Sequence, residues 1–178
     1  MHNRMSNKSP TPSQQPRSSY AMQTQAERAE SLALMRTAAA ELSNAVVGLS
    51  AEQLTTRYIP TEWTVAQNVH HMADSHAFAL NNVLIALTED RPTWRDYEVD
   101  GIAALADCSS ADISGSLAYF AALQHRWVRL CESLNDAEYA RMGIASWGEF
   151  SIDDTVRIYA RHTRKHIIQI AECLAAAR

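Results

Sequence analysis

The chain has 178 residues, enough for one domain of ordinary size and short for two. With 47% hydrophobic and 20% charged residues it can bury a sizeable core without staples, and a net charge of −4 argues against non-specific nucleic-acid binding, which needs a basic surface. Five glycines disfavour many-turned sandwiches and Gly-rich nucleotide folds, and three cysteines (Cys108, Cys131, Cys173) without a CxxC spacing disfavour a disulfide framework or a thiolate zinc site.

Reduced thiols in a cytoplasmic protein are the simplest expectation. No apolar run approaches the ~18 residues of a membrane span, and the first residues lack the apolar stretch of a secretory signal. Residues 1–21, rich in Ser, Pro, Gln and Asn and without an acidic residue, predict a flexible tail ahead of a single domain over 22–178.

From there the hydrophobic period is helical. Leu32, Met35, Ala39, Leu42, Val46 and Leu49 form one apolar stripe on a first long helix. Ser50-x-x-Gln53 resembles a capping box and predicts a short turn of helix. Thr64-x-x-Gln67 opens a second long helix striped by Val65, Val69, Met72, Leu80, Val83 and Leu87. Thr88, Asp90 and Pro92 end it. The connection over 88–111 carries Trp94, Tyr97, Ile102 and Leu105, which are expected to pack onto the domain, with room for a short helix. Ile113, Leu117, Phe120, Trp127, Cys131 and Leu134 mark a third helix. Residues 135–150, with Gly143 and Gly148, read as a loop. Ser151-x-x-Asp154 opens a fourth helix striped by Ile152, Val156, Tyr159, Ile167, Ile170 and Leu174. Four long amphipathic segments and no convincing strand predict an all-α four-helix bundle, with a long crossover connection between helices two and three.

Six of the seven histidines lie in the helical part. His162 and His166 sit one turn apart on one helix face, with Cβ atoms about 5–6 Å apart, so both rings can reach one ion. They fall at the edge of the apolar stripe, beside Tyr159 and Cys173. No Glu lies between them, so this is not the HExxH motif of a zinc peptidase. Helix two offers His70, His71 and His76 as a third ligand. A helical wheel places His76 near the centre of the Val69/Leu80/Leu87 face and His71 almost opposite, so periodicity alone selects His76. A mixed seam of Gln67, His71, Asp74, Phe78 and Ile85 keeps His71 open. Asp74 is a candidate acceptor for an imidazole N–H, Glu149 a candidate acid or base, and Trp94, Trp127 and Trp147 are candidate pocket walls, with Trp127 better read as core.

The segments WTVAQNVHHMADSH (63–76), LTEDRPTWRDYEVD (87–100) and HTRKHIIQI (162–170) resemble the DinB/YfiT-like superfamily of small metalloproteins, over roughly residues 30–175. The resemblance implies a four-helix bundle holding a nickel- or zinc-type divalent ion on three histidines. One lies eight residues after the Trp that precedes helix two, and the others form an i, i+4 pair on the last helix. Carried onto this sequence these are His71, His162 and His166, with His76 and His70 as the competing positions. Lys165 and Gln169 stand where the YfiT branch often has further histidines, so pocket chemistry is expected to differ.

Three neutral imidazoles leave an ion its full charge and an exchangeable position, which lowers the pKa of water or thiol bound there. The expected function is a metal-dependent enzyme acting on small molecules. The resemblance implies both hydrolysis and transfer of a low-molecular-weight thiol. A seam lined by Trp and apolar residues would favour thiol transfer to organic electrophiles. The alternative is a non-catalytic metal- or ligand-binding bundle associated with stress. The resemblance and a spare apolar face point to a homodimer.

Overall fold

Three of the four long helices begin at a residue whose side chain caps the free N–H groups of the first turn. The computed structural model describes residues 20–146 and 148–177. Within them Thr24–Glu27, Ser50–Gln53, Thr64–Gln67 and Ser151–Asp154 each form a reciprocal capping box, three of which the sequence predicts. These boxes open α1 (Gln25–Val46), α2 (Ala51–Thr55), α3 (Val65–Thr88) and α7 (Ile152–Ala176). Between α3 and α7 lie α4 (Val99–Ala103), a 3-10 turn (Asp107–Ser109), α5 (Ser114–Glu132), α6 (Asp136–Tyr139), β1 (Met142–Ala145) and β2 (Gly148–Ser151). The tail expected over 1–21 falls, except for its last two residues, outside the described residues, as does Trp147. Ala21 is held to α7, its carbonyl accepting from Arg157 Nη2 at 2.6 Å.

The expected bundle consists of α1, α3, α5 and α7. Both α1 and α3 pack against α5 and α7, which puts α1 and α3 at opposite corners. Gln23 meets Asp153 and Glu41 meets Arg164, so α1 and α7 run parallel. His70 meets Ser116 and His76 meets Gln124, so α3 and α5 also run parallel. Asn68 meets His166 and Ser75 meets Tyr159, so α3 and α7 are antiparallel. The bundle is up-down-down-up, and residues 89–113 form the crossover between its two down helices. Among the described residues no helix is long and apolar enough to cross a membrane.

The core has two apolar clusters. One is built on Met35, Val83, Trp127, Ile152 and Val156, the other on Leu42, Val65, Val69, Met72, Phe120 and Ile170. Each such side chain contributes about 1.5–3 kcal/mol by leaving water. His76 lies between the clusters, edge-on to Phe120 of one and Trp127 of the other.

Two expectations are corrected. The loop over 135–150 is replaced by α6 and an antiparallel hairpin pairing Met142 with Ser151 and Ala145 with Gly148. Four-residue strands are too short for a period-2 pattern to stand out. Leu105 does not pack onto the domain but is 54% exposed. The crossover is instead tied down at Trp94, whose backbone N–H donates to Ile144 O at 2.8 Å while the Ile144 backbone N–H donates to Pro92 O at 2.9 Å. The Trp94 indole lies directly against Gly143: a Cβ there would sit 1.9 Å from the ring. Gly143→Ala should therefore lower stability by about 1–3 kcal/mol, the usual cost of overpacking, measured as a lower urea midpoint with unchanged slope.

Candidate metal centre

The Thr64–Gln67 box fixes the start of α3 and aims its second turn at α7. Arg57 Nη2 and Thr64 N–H both donate to Gln67 Oε1, and Gln67 Nε2 donates to Ala103 O at 2.7 Å, tying α4 to the same helix end. Opposite, the Ser151–Asp154 box starts α7, which carries the His162–His166 pair about three to four turns on.

The structure brings His71, His162 and His166 together, with one ring nitrogen from each within 4.8 Å of the others. Nε2 of His162 and Nε2 of His166 are 3.2 Å apart. Ligands 2.0–2.1 Å from a tetrahedral zinc-type ion lie about 3.3 Å apart, so the His162–His166 pair already has the spacing such an ion needs and His71 is close enough to complete the set by a small shift. His166 Nδ1–H donates to Asn68 Oδ1 at 2.8 Å, which leaves its Nε2 lone pair facing the other rings. His71 has no hydrogen-bond partner among the described residues; it packs edge-on to Trp63 with centroids 4.8 Å apart. Burial pushes His71 down to about 4, His162 to about 3 and His166 to about 2, with the positive charge of Lys165 adding to each. All three are neutral imidazoles at neutral pH, the form that ligates metals.

The competing positions lie elsewhere. His70 turns toward α5, its Nδ1 2.8 Å from Ser116 Oγ. His76 is fully buried behind His162, its Nε2 3.3 Å from His162 Nδ1 and its Nδ1 2.5 Å from Gln124 Nε2. Both faces of α3 are buried, so the apolar wheel does not discriminate among its histidines. Asp74 makes no hydrogen bond to an imidazole; the acceptor for His166 is Asn68, which periodicity does not single out.

The three rings line a cleft of about 720 Å³ bounded by α3, α7 and the crossover. Trp63 forms its aromatic wall, nearly parallel to His166 with centroids 6.2 Å apart, and its Nε1 donates to Asp100 Oδ1 at 3.2 Å. Phe78 and Tyr97 stack at 4.3 Å, and the lining carries Arg95 and Lys165 together with the carboxylates of Glu62, Asp96, Glu98 and Asp100. Of the tryptophans expected as walls, Trp94 and Trp127 belong to the core. Glu149 is buried and paired with Arg91 at 2.9 Å, outside the cleft. Cys173 lines the cleft, but its thiol donates to Trp63 O at 3.3 Å and burial raises its pKa, which keeps it protonated. Tyr159 also lines the cleft; burial pushes its phenol up to about 12, and its hydroxyl lies 3.3 Å from Ser75 Oγ.

Comparison with known proteins follows the same lines. The model of the DinB superfamily matches residues 34–170. The "Putative metal-dependent hydrolase YfiT" of Bacillus subtilis is 35% identical over 135 residues, covering 75% of this chain and 76% of its own. A Geobacillus kaustophilus protein with the same description is 36% identical over 146 residues, covering 80% and 81%. The solved structure of YfiT from Bacillus subtilis, described as a probable metal-dependent hydrolase with an unusual four-helix bundle topology, superposes with a TM-score of 0.83 at 31% identity, covering 90% of this chain and 91% of that one. A shared bundle, a match across most of the chain and relatives named for metal dependence lead to one assignment: the chain belongs to the DinB superfamily, among the YfiT-like proteins.

Proposed function

We propose that this protein holds one divalent metal ion on His71, His162 and His166 and acts as a metal-dependent hydrolase on a small polar molecule. The observation that carries the reading is three neutral imidazoles converging on the wall of a cleft of about 720 Å³. Relatives named as metal-dependent hydrolases support it. When bound, such an ion polarises a substrate oxygen and makes water acidic enough to attack near neutral pH. Asn68 fixes the ring of His166, and Trp63 shields one side of the triad from solvent. Tyr159 stays protonated and offers a hydroxyl donor to a substrate oxygen, while the mixed lining of Arg95 and Lys165 with Glu62, Asp96, Glu98 and Asp100 suits a polar substrate.

Transfer of a low-molecular-weight thiol is the second reading, favoured by the aromatic wall of Trp63 and the stacked Phe78–Tyr97 pair. The charged lining weakens the case for it. A panel of ester and amide substrates, set against thiols paired with electrophiles, separates the two. Zinc or nickel as the ion, a cytoplasmic setting and a homodimer complete the proposal; sedimentation equilibrium showing only a species of about the chain mass at micromolar concentration would remove the dimer.

Tag-free protein loaded with zinc or nickel should melt higher than the same protein in chelator. At a hundredfold excess over Kd the gain is about 2.7 kcal/mol. For a domain of this size that is roughly 5–10 °C. His71→Ala and His166→Ala should each abolish the metal-dependent part. Equal melting temperatures for the parent with and without metal would refute tight binding at this cluster.

A further inference from the structure

Three imidazoles and two amides join end to end across α5, α3 and α7. Gln124 Nε2 faces His76 Nδ1, His76 Nε2 faces His162 Nδ1, His162 Nε2 faces His166 Nε2, and His166 Nδ1 faces Asn68 Oδ1, at 2.5, 3.3, 3.2 and 2.8 Å. A neutral imidazole carries one N–H and one lone pair, and an amide nitrogen only donates. Starting from Gln124, that rule assigns every proton. His76 accepts at Nδ1 and donates from Nε2, His162 accepts at Nδ1 and donates from Nε2, and His166 accepts at Nε2 and donates from Nδ1. All the donors point toward Asn68.

This direction is incompatible with ligation. His162 Nε2 carries a proton in it, and that proton covers the lone pair of His166 Nε2. For His162 Nε2 to hold an ion, the His162 proton must sit on Nδ1. His76 then has to accept at Nε2 and carry its own proton on Nδ1, where it meets an amide nitrogen. His76 is fully buried, with Phe120, Trp127 and Tyr159 packed edge-on or nearly so around it. Among the described residues the Gln124 amide is the only polar group its Nδ1 meets. Gln124 Oε1 is itself buried and has no hydrogen-bond partner. Half a turn of the amide puts that oxygen against His76 Nδ1 and exchanges which amide atom is left without a partner.

We propose that His76 and Gln124 are positioning residues for His162, and that the Gln124–His76–His162 chain reverses its hydrogen-bond direction, through a half-turn of the Gln124 amide, when the three-histidine site is loaded. The inference rests on the three-histidine reading. No net proton is gained or lost. On His162 and His76 the proton moves from Nε2 to Nδ1 by exchange with solvent, and His166 keeps its proton on Nδ1 toward Asn68. Every imidazole is neutral before and after. The amide supplies a donor to the empty arrangement and an acceptor to the loaded one, which neither a carboxylate nor an apolar side chain can do.

Long-range proton–nitrogen NMR of histidine-labelled protein tests this directly. His76 should carry its proton on Nε2 in the metal-free protein and on Nδ1 after zinc is added. Gln124→Leu takes a partner from both arrangements, so its zinc affinity, read by chelator competition, should stay within about tenfold of the parent's. In Gln124→Glu, whose carboxylate accepts from Nδ1–H and cannot donate to the bare Nδ1 of the metal-free arrangement, it should exceed the parent's. The NMR result on the unsubstituted protein does not depend on either variant folding. The same His76 tautomer in both states, or a folded Gln124→Glu that binds zinc no more tightly than the parent, overturns the proposal while leaving zinc binding by the parent intact. A parent that binds no zinc removes the three-histidine reading and this inference with it.

Discussion

Acidifying the metal-free protein from pH 7 to about pH 5 should lower its melting temperature by roughly 10–20 °C, a steep loss for a domain of this size. The cause is the set of buried imidazoles. His71 is pushed down to about 4, His76 and His162 to about 3, and His166 to about 2, burial being the largest cause in each case. In the unfolded chain each returns to about 6.5. Below that value the unfolded state binds protons that the folded state refuses, so stability is full above about pH 6.5 and is lost as pH falls. Each histidine costs up to about 1.4 kcal/mol per pH unit, and four together cost several kcal/mol by pH 5, less whatever local opening lets a ring protonate in place. Thermal melts in chelator at half-unit pH steps check this. A flat profile between pH 7 and 5 would mean that the four rings titrate as though exposed. Loaded protein should start from a higher plateau and fall more steeply, because protons and the ion compete for the same lone pairs.

Asp153→Ala should be the most damaging single substitution away from the cleft, at about 3–5 kcal/mol. Asp153 is fully buried in the first turn of α7. Its Oδ2 accepts from Gln23 N–H at 2.7 Å, its Oδ1 accepts from Gln23 Nε2 and Arg28 Nε at 3.2 Å each, and Arg157 lies 3.6 Å away. Truncation leaves the Gln23 donors and part of the Arg28 guanidinium buried without an acceptor, and it removes a negative charge from a helix N-terminus. Asp153→Asn keeps one acceptor oxygen and should lose less. Urea denaturation gives both values. A loss below about 1 kcal/mol for the alanine variant would show that solvent reaches the cluster once the carboxylate is gone.

How far the sequence carries can be read from particular residues. The stripes of α1, α3, α5 and α7 and three of the four capping boxes at α1, α2, α3 and α7 are local patterns, with both partners within a few residues, so they are legible. The direction of the crossover is not, because the same stripes serve parallel and antiparallel neighbours alike. Within the site, the His162–His166 pair is legible as an i, i+4 spacing. The choice of His71 over His76 comes from family resemblance, since α3 is buried on both faces and its periodicity favours the more deeply buried ring. Gln124 and Asn68 are invisible to any pattern along the chain: they matter because of what faces them from another helix, 48 and 98 residues away. Trp63 marks the motif but reads as a wall of the cleft only once α3 and α7 are placed side by side.

The parallel pairing of α1 with α7 has a consequence for how the chain assembles. Gln23 and Asp153 are 130 residues apart in sequence, and Glu41 and Arg164 are separated by 123. A meandering bundle closes helix hairpin by helix hairpin, each on a short loop. Here α1 stays without its α7 partner until the C-terminal helix has been made, and α3 meets its parallel neighbour only after the crossover is complete. Non-local contacts of this kind raise contact order, and folding slows as loop-closure entropy is met before the contacts that offset it. During synthesis the side of the α1 stripe that faces α7 therefore stays uncovered after α5 has packed on the other side, and the core closes only when α7 emerges.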